Sequence, residues 1–166
     1  MSSVTHLVKG IRLLVFDFDG VMTDNTVIVF QDGKEAVVCH RGDGLGVTRL
    51  KQIGFPMLVL STETNPVVRA RCDKLGIECL NGVGDKLSIL KRIAAERGID
   101  AREVAYVGND VNDLECMRWA GFPIAVADAH PAVLGTARYV TKSRGGHGAV
   151  REIADLFLPE TDGGAS

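Results

Sequence analysis

Residues 13–24 read LLVFDFDGVMTD, an apolar run leading directly into Asp17 and Asp19. An unbroken apolar run of this length reads as a strand covered on both faces, which is the habit of a parallel sheet. Two carboxylates at the end of such a strand are costly to desolvate unless a cation accompanies them. The stretch therefore sets both the fold class and the chemical question.

The same rhythm recurs along the chain. Residues 11–17 (IRLLVFD), 55–61 (FPMLVLS), 103–109 (EVAYVGN) and 122–128 (FPIAVAD) are apolar runs that end in polar or small residues. Helices are predicted between and after them, over 44–53, 66–75, 85–97 and 111–120. Asn65 before Pro66 reads as an N-cap and first helical position, and Gly54, Gly76, Gly98 and Gly121 read as C-terminal stops. Alternating strands and helices predict a three-layer, doubly wound, Rossmann-like α/β fold with a parallel central sheet. Residues 25–40 (NTVIVFQDGKEAVVCH) break the rhythm and read as a β-hairpin flap turning at Asp32-Gly33. No stretch is long enough for a separate cap domain. The expectation is one domain over 1–158 and a disordered tail over 159–166 (PETDGGAS).

Composition narrows the function classes. With 166 residues, 46% hydrophobic and 24% charged, the chain suits one globular domain. A formal net charge of -2 offers no basic excess for nucleic acid or an anionic membrane. The opening MSSVTHLVKG lacks the apolar core of a signal peptide, and no run approaches a membrane span. Cys39, Cys72, Cys79 and Cys116 lack zinc-site spacing and read as reduced, mostly buried thiols of a cytoplasmic protein.

Ligands of an open parallel sheet bind beyond the carboxyl ends of its strands. That rule gathers Asp17 and Asp19, Ser61 and Thr62, Asn109 and Asp110, and Asp128. Lys86 joins them at the front of a helix, where a cation opposes the helix dipole and a bound anion would remove the conflict. Two acids, a hydroxyl and a lysine suit a phosphate ester with Mg²⁺, a hard cation that selects oxygen ligands. Asp17 is then the nucleophile toward phosphorus, and Asp19 the acid and base that serves the leaving alkoxide and the attacking water. Ser61 or Thr62, with Lys86, would hold the phosphoryl oxygens. Asp113 reads equally as a supporting acid behind the site or as an ordinary acid of a helix N-terminus.

DFDGVMTD, LST, GDKLSIL and GNDVNDL, in this order, resemble the four motifs of haloacid-dehalogenase-type phosphatases. The resemblance covers about residues 10–158. It is closer to the small capless branch acting on octulosonate and nonulosonate sugar phosphates, with AVADAHPAV and GGHGAVREI similar to that branch's C-terminal stretches. Similar domains are fused to acylneuraminate cytidylyltransferases. The resemblance implies Mg²⁺, an Asp17 nucleophile, an Asp19 acid/base, and a homotetramer whose neighbouring subunit helps close each site. The family often writes its fourth motif GDDxxD, so Asn109 stands at a usual aspartate, and either Asn109 or Asp110 is left as the metal ligand beside Asp17 and Asp19. Octulosonate 8-phosphate phosphatases usually carry a TGR-like motif where this chain has STETNPVVRARCDKLG (61–76). Glu63, Arg71 and Lys74 there resemble the nine-carbon branch, with the acid reading hydroxyls and the bases facing a substrate carboxylate. Asp43 matches a family aspartate near the site and reads equally as an N-cap, while Arg151 in GGHGAVRE reads as part of the C-terminal closure of the substrate site or, equally, as a solvated helix residue. The expected substrate is an acylneuraminate or other nonulosonate 9-phosphate. The alternatives are 3-deoxy-D-manno-octulosonate 8-phosphate or, in another class, a non-catalytic oligomerisation or regulatory module.

Overall fold

The computed structural model describes residues 4–159; the expected tail from residue 160 onward lies outside the described residues. Six strands form one all-parallel sheet. These are β1 (Leu13–Phe16), β4 (Met57–Leu60), β5 (Glu78–Leu80), β6 (Val104–Gly108), β7 (Phe122–Ala125) and β8 (Tyr139–Val140), in the spatial order β5-β4-β1-β6-β7-β8. β1 lies between β4, with Val15 opposite Leu58, and β6, with Val15 opposite Tyr106. Every residue of β1, β4, β6 and β7 is buried, as continuous apolar runs require when both faces are covered.

Helices α1 (Arg41–Gln52) and α2 (Val67–Leu75) follow β1 and β4, while α3 (Lys86–Glu96) and α4 (Leu114–Trp119) flank β6. Right-handed crossovers send these two pairs to opposite faces. A short α5 (Pro131–Leu134) precedes β8, and α6 (Ala149–Phe157) returns to pack along α1. Strand order reverses at β1, between β4 on one side and β6 on the other. Such a switch point opens a crevice at the strands' carboxyl ends.

The expected hairpin is present but shorter than 25–40 suggests. β2 (Ile28–Val29) pairs antiparallel with β3 (Glu35–Ala36), and one further bridge joins Thr23 to Cys39. Gly33 takes φ 81°, as the Asp32-Gly33 turn requires. Gly54, Gly76 and Gly98 are left-handed helix stops, but Gly121 is not. Gly121 is instead pressed against the Arg102 backbone, leaving no room for a Cβ. Among the described residues no helix is long and apolar enough to cross a membrane. All four cysteines are free thiols, three of them buried.

Candidate active site

β1 delivers Asp17, and the loop after it turns back tightly. The Phe18 carbonyl accepts from the N–H groups of Val21, Met22 and Thr23. The fully buried Thr23 Oγ1 accepts from Gly20 and Asn25. Gly20 has φ 80°, and a Cβ there would land on the Asn109 side chain. Glycine is therefore needed at this position for both conformation and space. β6, the neighbouring strand, delivers Asn109 to the same place.

Asp17, Asp19, Ser61, Thr62, Asn109 and Asp110 line one pocket of about 120 Å³, together with Asn25 and Asn112. Lys86 and Asp113 stand directly behind it. Lys86 Nζ donates to Asp17 Oδ1 at 2.8 Å and to Asp113 Oδ1 at 2.9 Å, with all three side chains buried. The unfavourable place of this lysine at the start of α3 is thus offset by two carboxylates. Burial disfavours its charge, but Asp17 and Asp113 together hold its pKa above the ordinary lysine value. Burial also dominates at Asp17, and with the Asp113 charge it raises that carboxyl to about 7 against the pull of Lys86. Asp19 is raised by burial and by the Glu63 carboxylate, with Lys86 opposing. A raised carboxyl at the pocket wall is suited to carry a proton to a leaving group.

The donor set for a cation is one carboxylate, one main-chain carbonyl and one amide. One end of the Asn109 amide lies 3.2 Å from Asp17 Oδ2 and 2.9 Å from the Asp19 main-chain oxygen. With its NH2 turned inward, Asn109 donates to both. With its carbonyl turned inward, the Asn109 oxygen stands from each of the other two at about the 3 Å edge of an octahedron whose ligands stand about 2.1 Å from Mg²⁺. The residues present therefore fit a small hard cation. They also explain why no cluster of three His, Cys, Asp or Glu side chains marks a metal site among the described residues. The Asp19 carboxylate is not part of the triangle; its backbone is. Asp110 is exposed and its Oδ1 accepts from the Val111 N–H at 2.7 Å, closing a capping box with Asp113.

Ser61 is buried, and its Oγ accepts from the Glu63 N–H at 3.1 Å, while Thr62 is exposed at the pocket. Glu63 Oε1 accepts from Asn65, whose Nδ2 donates to Glu35 on the hairpin at 2.9 Å. Arg71 and Lys74 line a separate groove of about 500 Å³ with Cys39, Gly44 and Leu45. Cys39 bridges to Thr23, in the loop that carries Asp19 and Asn25, so this groove begins close to the pocket. Asp43 and Arg151 lie apart from the pocket, at the packed contact of α1 and α6. Asp43 Oδ1 accepts from the Arg151 N–H at 2.9 Å and so caps α6 rather than its own helix. The Arg151 side chain pairs with Asp155 at 3.2 Å. Asp128 accepts from the Gly145 N–H at 3.0 Å and holds the GGHG loop, which packs backbone to backbone against residues 20–24.

Two residues at or behind the pocket, Asn25 and Tyr106, lie outside the quoted motifs, and a third, Asn112, lies inside GNDVNDL at a position to which the resemblance gives no role. Asn25, at φ 66°, is the single non-glycine residue with positive φ among the described residues. Asparagine after an aspartate-rich turn is the one sequence hint of that conformation.

A family model of haloacid dehalogenase-like hydrolases matches residues 70–153. The chain is 37% identical over 160 residues to the 3-deoxy-D-manno-octulosonate 8-phosphate phosphatase of Yersinia pestis, covering 96% of this chain and 86% of that one. A crystal structure of an HAD family hydrolase from Streptomyces avermitilis superposes with a TM-score of 0.88 at 52% identity, covering 91% of this chain and 87% of that one. The octulosonate phosphatase of Moraxella catarrhalis, solved with magnesium, phosphate and KDO, superposes with a TM-score of 0.89 at 34% identity, covering 95% and 91%.

Proposed function

The chain belongs to the haloacid dehalogenase-like hydrolases, and we propose that within them it is a cytoplasmic, Mg²⁺-dependent phosphomonoesterase acting on the phosphate ester of an acidic sugar. The observation that carries this reading is the convergence of Asp17, the Asp19 main-chain oxygen and Asn109 on one point, with Lys86 bonded to Asp17 from behind. Asp17 Oδ2, the Asp19 carbonyl and the Asn109 amide oxygen would hold the metal. When bound, the ion neutralises the carboxylate and the phosphoryl oxygens, making their approach possible.

In the first half-reaction an Asp17 oxygen forms a bond to phosphorus as the bond to the sugar oxygen breaks. Asp19 gives its proton to that oxygen. In the second, Asp19 takes a proton from water as the water attacks phosphorus, and the Asp17–phosphorus bond breaks to release inorganic phosphate. Lys86 and the Ser61 or Thr62 hydroxyl supply donors to the phosphoryl oxygens as charge redistributes. The four unpaired thiols fit a reducing compartment.

Among substrates, the relatives' name favours 3-deoxy-D-manno-octulosonate 8-phosphate over the nine-carbon ester expected from the sequence. A nonulosonate 9-phosphate is a second reading. Glu63 beside Asp19, and Arg71 with Lys74 in the adjoining groove, supply a hydroxyl acceptor and a carboxylate partner further from the phosphate. The hairpin exposes Val27, Ile28, Val29 and Phe30, each at least half accessible, and a neighbouring copy in a homotetramer would cover them. The test is turnover of p-nitrophenyl phosphate with Mg²⁺, with Asp17→Asn as control, followed by both sugar phosphates side by side. No turnover of any phosphate ester would sink the proposal in favour of a non-catalytic module.

A further inference from the structure

Tyr106 sits in the middle of β6, with no exposure. A buried phenol is a poor choice for packing alone, because its hydroxyl must find a partner that phenylalanine does not need. Here the hydroxyl donates to Asp113 Oδ1 at 2.8 Å. The same oxygen accepts from Lys86 Nζ at 2.9 Å, and Lys86 reaches on to Asp17 Oδ1 at 2.8 Å. The other oxygen of Asp113 accepts from the Asn109 N–H at 3.0 Å and the Asp110 N–H at 3.4 Å. Asp113 is itself fully buried, so these four donors supply its solvation. Gly108 makes the arrangement possible, since a Cβ there would stand 2.6 Å from that of Asp113.

We propose that Tyr106 is a positioning residue for phosphate binding: by donating to the Asp113 oxygen that also holds Lys86, it weakens Asp113's grip and keeps Lys86 shared with Asp17 and turned toward the phosphoryl group. A lysine ammonium has three donors. Two are taken by Asp17 and Asp113, and the third is what remains for a phosphoryl oxygen. Without the phenol, Asp113 Oδ1 would have Lys86 as its sole side-chain donor, and the ammonium would lean away from the pocket. Burial, with the Asp113 charge, holds the phenol well above its ordinary pKa, so it stays a donor. The inference rests on the phosphatase reading above and deepens it.

The experiment is Tyr106→Phe, which removes one atom from the side chain. Its readouts are inhibition of p-nitrophenyl phosphate turnover by inorganic phosphate and direct phosphate binding by calorimetry. Inhibition and binding should weaken about tenfold, the effect expected of one hydrogen bond on a charged acceptor. In a Lys86→Met background the same exchange should leave the residual phosphate binding unchanged, because Tyr106 acts through Lys86. A purely structural tyrosine would lower the melting temperature and leave phosphate affinity within about twofold of the parent, which overturns the inference. Equal losses with and without Lys86 overturn it too. If the unaltered protein neither hydrolyses a phosphate ester nor binds phosphate, the phosphatase reading itself fails and this inference falls with it.

Discussion

Asp17→Asn should make the metal-free protein more stable, by an amount that depends on pH. In the fold Asp17 is 5% exposed, and its carboxyl pKa rises from 3.8 to about 7 through burial and the Asp113 charge. A carboxyl raised on folding holds its proton more tightly in the native state than in the unfolded chain. Stability from this group is therefore fully present below 3.8 and is lost as pH rises through about 7. At about 1.4 kcal/mol per pH unit the rise corresponds to about 4 kcal/mol once the group is fully ionised. Asparagine keeps an acceptor for Lys86 and for the Phe18 N–H but carries no charge. In EDTA at about pH 8 the variant should melt about 8–16 °C higher than the parent, taking about 2–4 °C per kcal/mol for a chain of this size. The gap should close as pH falls below 3.8, where Asp17 becomes protonated in both states. Magnesium should raise the melting temperature of the parent and leave the variant nearly unmoved. Thermal unfolding followed by circular dichroism across this pH range is the assay. A variant that melts lower than the parent in alkaline EDTA, or by the same margin at every pH, would refute the argument that Asp17 is a desolvated charge awaiting a cation.

Asn109→Asp should tighten Mg²⁺ binding by about tenfold or more in a calorimetric titration, because ligand charge sets affinity at an oxygen site. Unchanged or weaker binding would remove Asn109 from the donor set. Gly108→Ala places a Cβ 2.6 Å from that of Asp113, and should cost about 1–3 kcal/mol in stability and lower turnover, as overpacking beside a buried carboxylate does. A melt indistinguishable from the parent would contradict the close approach. Glu63→Gly should shift the ratio of hydrolysis rates toward the eight-carbon ester, measured on the two sugar phosphates in parallel. An unmoved ratio means Glu63 does not read the longer sugar's hydroxyls.

The long apolar runs at 11–17, 55–61, 103–109 and 122–128 each hold a strand, since burial on both faces leaves a continuous signal. β5 and β8 escaped that reading for the opposite reason. ECL (78–80) and YV (139–140) are too short and too partly exposed to form a run, yet parallel pairing to β4 and β7 holds them in the sheet. The first turn of α1 was also missed, with the helix starting at Arg41 rather than 44, because His40 precedes it without a side-chain cap. The residues of the pocket were legible because strand ends converge by topology. What contacts what behind them was not. Tyr106 reads as one more core aromatic until Asp113, seven residues on, is seen to face it. Asp43 and Arg151 are similar: nothing in the sequence pairs two residues 108 positions apart, and the fold joins them through the cap that Asp43 makes on the Arg151 N–H.

The most direct test is to mix enzyme with a radiolabelled phosphate ester and Mg²⁺, quench in acid during turnover, and map the label. The prediction is a phosphoryl group on Asp17 that hydroxylamine removes and that Asp17→Asn never acquires. Sustained turnover with no label at Asp17, or undiminished turnover in Asp17→Asn, would contradict the claim that this carboxylate attacks phosphorus.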